Sequence, residues 1–191
     1  MNKEIYICDY LNIFSDYREI KYKKNNVNFH DIKHANLEID TIEFFKLFFT
    51  KYIYKVNIQK SNKFIFIIKK ITNYEKILNN VLKEYFNIDI HFYIIENKYN
   101  DILLDKNKDD FLCQYLLTYY NFKNQDCHMI SNDKYRDKIR YYHKFTNIIV
   151  KILSLNSNNI YTIKIDKLKL HNDSYFKKRK AIPKYKLFDI I

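Results

Sequence analysis

Not one of the 191 residues is glycine, and Pro183 is the only proline. Glycine enters the left-handed backbone region without a Cβ clash and lets a backbone approach a ligand closely. Phosphate-cradling loops, dinucleotide fingerprints and nucleophile elbows all draw on that freedom. The ATPase, dehydrogenase and α/β-hydrolase signatures are accordingly absent from this chain. Tight reversals must fall to asparagine and aspartate, and the stretch "LNSNN" at 155–159 reads as such a turn.

Between the turns, five short runs rich in apolar, β-branched and aromatic residues read as strands covered on both faces: "EIYIC" (4–8), "KFIFII" (63–68), "HFYII" (91–95), "CHMIS" (127–131) and "IYTIKI" (160–165). Helical patterns separate them. Asp40 with Glu43 resembles a capping box opening a helix that runs to about Tyr54, with Phe45, Phe48, Phe49 and Tyr52 on one stripe. A second helix, 73–85, aligns Tyr74, Ile77, Leu78, Val81, Leu82 and Tyr85. A third spans about Asp109 to Tyr120, and a fourth is expected to follow Asp133 and to continue, with a break, to about Leu153. Strands alternating with helices predict an α/β fold: a three-layer α/β/α sandwich around a central, mostly parallel five-stranded sheet. Residues 1–170 form the expected domain, and 171–191 a basic C-terminal extension holding the "KKRK" run at 177–180.

Lysine and arginine number 34 against 22 acidic residues, a net charge of +12 that points to a polyanionic partner, nucleic acid first. A/T-rich coding also favours Lys, Asn, Ile, Tyr and Phe, which discounts that signal. The apolar runs are too short to span a bilayer, and an acidic membrane surface ranks second to nucleic acid as the polyanion, so no membrane partner is expected. Asp9 interrupts the N-terminal apolar stretch, so no secretory signal is expected there. Cys8, Cys113 and Cys127 lie in separate apolar stretches without a C-x-x-C pair, which reads as three buried, reduced thiols and an intracellular, cytoplasmic setting. The "KKRK" run fits a nuclear-import signal, an RNA contact or a solvated tail.

Parallel sheets bind ligands at the carboxyl ends of their strands, where the strand order reverses. Asp9 stands just past the first strand with Asn12 three residues on. Asp133 follows the fourth strand, and Asp137, four residues further, shares its helix face. Asp109 and Asp110 open the helix that leads into that fourth strand. Each acid has a plain reading alone: a strand-end turn, a complement to a helix dipole, an N-cap. If the first and fourth strands are neighbours, however, the acids share one crevice. Gathered carboxylates repel and some must take up protons, unless a hard divalent cation such as Mg²⁺ or Mn²⁺ joins them.

In this order and spacing, "ICDYLNIF", "KDDFLCQYLL" and "MISNDKYRD" resemble the PIN/NYN superfamily of metal-dependent nucleases. The likeness is nearest to the Regnase-type ribonucleases, where a D-x-x-N opening, a D-D pair and an S-N-D-x-Y-R-D segment recur. It covers residues 4–140. The resemblance implies a PIN-like fold with Asp9, Asp110, Asp133 and Asp137 around Mg²⁺, and Asn12 and Asp109 supporting. Two features depart from the family. Tyr10 stands where glycine is common, which is expected to narrow the substrate's approach, and the CCCH zinc finger found beside the Regnase domain is absent.

Such a centre would hydrolyse phosphodiester bonds. A carboxylate-held cation activates water for in-line attack and binds a non-bridging oxygen, leaving a 5′-phosphate and a 3′-hydroxyl. Arg18, Lys134, Arg136, Lys138 and Arg140, with Lys21, Lys23 and Lys24, are the candidate phosphate contacts. Stacking tyrosines would favour single-stranded RNA, cut endonucleolytically. The main alternative is a PIN-like nucleic-acid-binding module without turnover, and a homodimer remains open. A haloacid-dehalogenase-type phosphatase wants a second Asp two residues after the first, where Leu11 stands.

Overall fold

The computed structural model describes residues 4–25, 36–52, 62–69, 74–96, 108–123, 125–131 and 146–170. Strand β1 (Ile5–Asp9) runs directly into helix α1 (Tyr10–Lys24). Helix α2 (Leu37–Leu47) continues as a π-helical turn, Phe48–Tyr52. There follow β2 (Lys63–Lys69), α3 (Tyr74–Glu84), β3 (Asp89–Ile95), α4 (Lys108–Phe122) and β4 (Cys127–Ile130), and then the hairpin of β5 (Thr146–Leu155) and β6 (Tyr161–Leu170).

The architecture is α/β. Its sheet differs from expectation in having six strands, in the order β4-β1-β2-β3-β5-β6, and in being mixed. Strands β1 to β4 are mutually parallel, whereas β5 pairs antiparallel with β3, and β6 antiparallel with β5. The extra strand is Thr146–Leu155, where the sequence suggested the end of a helix. Its run "NIIVKIL" is rich in β-branched residues, and a short apolar run does not by itself separate a buried helix from a strand. Residues 132–145, where that helix would begin, and the tail 171–191 lie outside the described residues.

Alternation along the strands sorts the interior into two cores. Tyr6 and Cys8 of β1, Phe64, Phe66 and Ile68 of β2, and Phe92 of β3 pack under α1, α2 and α3. Ile5 and Ile7, with Ile65 and Ile67, meet Leu112, Cys113, Leu116 and Leu117 of α4 on the opposite face. Helices therefore cover both faces, which explains why these strands read as continuous apolar runs. The first core is aromatic: Phe45 meets Phe66 and Phe92 edge-on at 5.1 and 5.4 Å between centroids.

Two details revise the sequence reading. Helix α1 was not anticipated, although Tyr10, Ile13, Phe14, Tyr17, Arg18 and Tyr22 form its buried stripe. Asp40 does not open α2; the helix begins after Asn36, and Asp40 lies inside it, fully buried. There it receives Arg18 Nε at 2.5 Å, Lys21 Nζ at 2.8 Å and the Tyr22 hydroxyl at 3.0 Å. A carboxylate so surrounded is a bolt between α1 and α2. Among the described residues the positive-φ positions are Asn36 (56°) and Asn159 (57°). Asparagine does the work that glycine would do elsewhere.

Candidate metal centre

The site follows from the strand order. Chain connections run from β1 to β2 on one side and return to β4 on the other, so the order reverses between β1 and β4. Loops leave a parallel sheet in opposite directions at such a point and open a crevice at the carboxyl ends. Register brings Cys8 beside Ile130. One step further, Ser131 Oγ donates to Asp9 Oδ2 at 3.0 Å and stands 3.3 Å from Asn12 Oδ1. A single hydroxyl proton serves one acceptor at a time, and the charged, nearer Asp9 is the stronger.

Alternation puts Asp9 on the side of Ile5 and Ile7, which is the side covered by α4. Because α4 crosses from β3 back to β4, its N-terminus lies at the same carboxyl edge, with Asp109 and Asp110 in the first turn. The result is a buried triad: Asp9, Asp109 and Asp110 each present one carboxylate oxygen within 4.8 Å of the others. They are 2%, 6% and 8% exposed, so water screens them poorly. Two helix N-termini, those of α1 and α4, and an ammonium offset part of the repulsion. That ammonium is Lys69 Nζ, 2.9 Å from Asp109 Oδ1. Lys69 ends β2, next to β1.

The donors fit a hard cation. They are carboxylate oxygens, and the nearby thiols are not in ligand form: burial pushes Cys113 well up, with Asp9, Asp109 and Asp110 adding to the shift, and burial followed by Asp9 does the same to Cys8. Mg²⁺ and Mn²⁺ take such oxygens, whereas structural zinc sites use thiolate and imidazole.

Of the residues singled out in the sequence, Asp9, Asp109 and Asp110 come together, and Asn12 joins through Ser131. Asp133, Asp137, Lys134, Arg136, Lys138 and Arg140 lie outside the described residues. Arg18 is corrected: it is 3% exposed and held by Asp40, so it is not placed to grip phosphate. Lys21 is committed to Asp40 and Glu43, and the exposed Lys23 and Lys24 lie about 20 Å along α1 from Asp9. Tyr10 is corrected as well. The residue after Asp9 turns to the opposite face, where its ring is wholly buried against Phe14 and Phe45 and its hydroxyl lies 2.6 Å from that of Tyr74. It cannot narrow the crevice from there. Sequence reasoning overlooked Ser131 and Lys69 as site residues, although both stand at carboxyl ends of strands, the criterion that selected Asp9.

No protein-family model matches this chain, and no curated protein matches it in sequence.

Proposed function

We propose that this protein is a divalent-metal-dependent nuclease that hydrolyses phosphodiester bonds of single-stranded RNA endonucleolytically, with a PIN/NYN-like three-layer fold. The observation that carries this reading is the triad of Asp9, Asp109 and Asp110, buried within 4.8 Å at the switch point of the sheet. Like charges so placed favour a cation, and the oxygen-only donor set favours Mg²⁺ or Mn²⁺. Asp9 and Asp110 would hold the ion together with Asp133 and Asp137 of the "SNDKYRD" segment, which continues the chain from Ser131. When bound, such an ion lowers the pKa of water and offers a Lewis-acid contact to a phosphate oxygen. Ser131 fixes the Asp9 carboxylate by its hydrogen bond, and Asn12 completes that wall. The net charge of +12 favours a polyanionic substrate, with Lys134, Arg136, Lys138 and Arg140 its proposed contacts. An intracellular setting fits three buried thiols; among the described residues no helix is long and apolar enough to cross a membrane.

One observation favours a second reading. Lys69 Nζ lies 2.9 Å from Asp109, so positive charge reaches the triad without a bound metal, which fits a nucleic-acid-binding module without turnover. The two readings separate in one assay: labelled single-stranded RNA incubated with Mg²⁺ or Mn²⁺, with EDTA, and with Asp9→Asn and Asp133→Asn proteins. Metal-dependent cleavage lost in both variants is expected. Binding without cleavage by the wild type refutes the nuclease reading, and cleavage undiminished in Asp9→Asn misplaces the site.

A further inference from the structure

The Lys69–Asp109 contact has an unusual form. Asp109 is 6% exposed and its Oδ1 is inaccessible to solvent, yet that oxygen accepts no hydrogen bond among the described residues. At 2.9 Å, Lys69 meets it as an ion pair without hydrogen-bond alignment. A well-built buried carboxylate saturates the lone pairs of both oxygens; Asp109 Oδ1 does not. The lysine is also the mobile partner. Its side chain is 27% exposed, on a stem of four methylenes, so it can leave Asp109 without crossing the core, whereas Asp109 is fixed in the first turn of α4.

We infer that Lys69 is a built-in, displaceable counter-ion: it sits on Asp109 while the acidic crevice lacks a divalent cation, and gives Asp109 up when one enters. This rests on the metal-site reading above and adds a positioning residue to it. Three carboxylates in a buried crevice need positive charge or bound protons, and the Lys69 ammonium supplies only part of that balance. A divalent ion outcompetes it by charge and by accepting several oxygens at once. Once released, the ammonium remains at the crevice mouth, at the end of β2, where a phosphate would enter. In this view Lys69 keeps the metal-free protein folded and lowers its metal affinity, two effects of opposite sign on a single side chain.

The test is a pair of measurements on Lys69→Met and Lys69→Arg. The first is Mn²⁺ binding by isothermal titration calorimetry, and the second is thermal unfolding in EDTA. Removing one positive charge about 4 Å from a divalent ion is worth about thirtyfold in affinity even at water-like screening, and about fivefold where the released ammonium lies about 8 Å away. Lys69→Met is therefore expected to bind Mn²⁺ at least about fivefold more tightly while melting at lower temperature in EDTA; Lys69→Arg should stay near the wild type in both. A lysine remote from the cation's position would not tighten metal binding when removed. Equal or weaker Mn²⁺ binding by Lys69→Met overturns the inference and leaves the metal site standing. Absence of Mn²⁺ binding by the wild type overturns both. Should Lys69→Met fail to fold, Lys69→Gln in Mn²⁺ replaces it, with the same affinity criterion.

Discussion

If the buried triad is a cation site, neutralising one acid should strengthen the metal-free protein. Consider Asp110→Asn, which keeps the shape of the side chain and removes its charge. With one oxygen of each acid within 4.8 Å of the others, two carboxylates repel by about 3.5 kcal/mol or more at an effective dielectric near 20. Asp110 takes part in two of the three contacts within the triad, so the gross relief is about 7 kcal/mol. A crowded carboxylate can instead take up a proton, which at pH 7 costs about 4 kcal/mol from an ordinary aspartate pKa and caps the relief. Subtracting about 0.5 kcal/mol for the lost interaction with the N-terminus of α4 leaves about 2–4 kcal/mol of added stability. For a chain of this length that is a rise in Tm of roughly 5–15 °C in EDTA. Divalent metal should reverse the order. At a concentration of about one hundred times Kd the wild type gains about 2.7 kcal/mol from binding, and the variant should gain much less. Circular-dichroism melts of both proteins in EDTA and in Mn²⁺ check this. A variant no more stable than the wild type in EDTA would refute the idea that these acids are mutually strained.

Two further outcomes probe the frame around the site. Asp40→Asn leaves Arg18 buried without its counter-charge and breaks the join between α1 and α2; a loss of about 3–5 kcal/mol is expected in urea unfolding, with the slope against denaturant unchanged. Burial pushes the Cys127 thiol up from 9.0 to about 12. The folded protein thus holds that proton more tightly than the unfolded chain, so the associated stability is intact below pH 9 and is lost as pH rises towards 12, at about 1.4 kcal/mol per unit. Cys127→Ala should lose about that much less stability than the wild type between pH 9 and pH 10, measured by urea unfolding at each pH. An identical alkaline loss in the variant would show that this thiol is not the titrating group.

How much was legible in the sequence depended on the range of the interaction. Strands β1, β2, β3 and β4 and helices α3 and α4 stand where their apolar patterns put them, because a strand covered on both faces or a helix with one buried stripe records its surroundings locally. Asp9 at the end of a strand and Asp109–Asp110 at the start of a helix were visible for the same reason. The chain's lack of glycine also determined something directly: asparagine takes the left-handed positions at Asn36 and Asn159.

Tertiary structure decided the rest. Arg18 and Asp40 are 22 residues apart, and nothing local says that one charge will neutralise the other rather than meet solvent. The strand β5 was hidden because "NIIVKIL" serves a helix or a strand equally well until β3 offers it an edge. Tyr10 became harmless to the crevice only because α1, which it opens, buries its ring in the aromatic core with Phe14 and Phe45. The convergence of Asp9, Ser131, Lys69 and Asp109 is a product of strand order. Sequence supplies the charges, but only the placement of β4 beside β1 turns scattered charges into one site, because electrostatic coupling depends on distance in space and not along the chain.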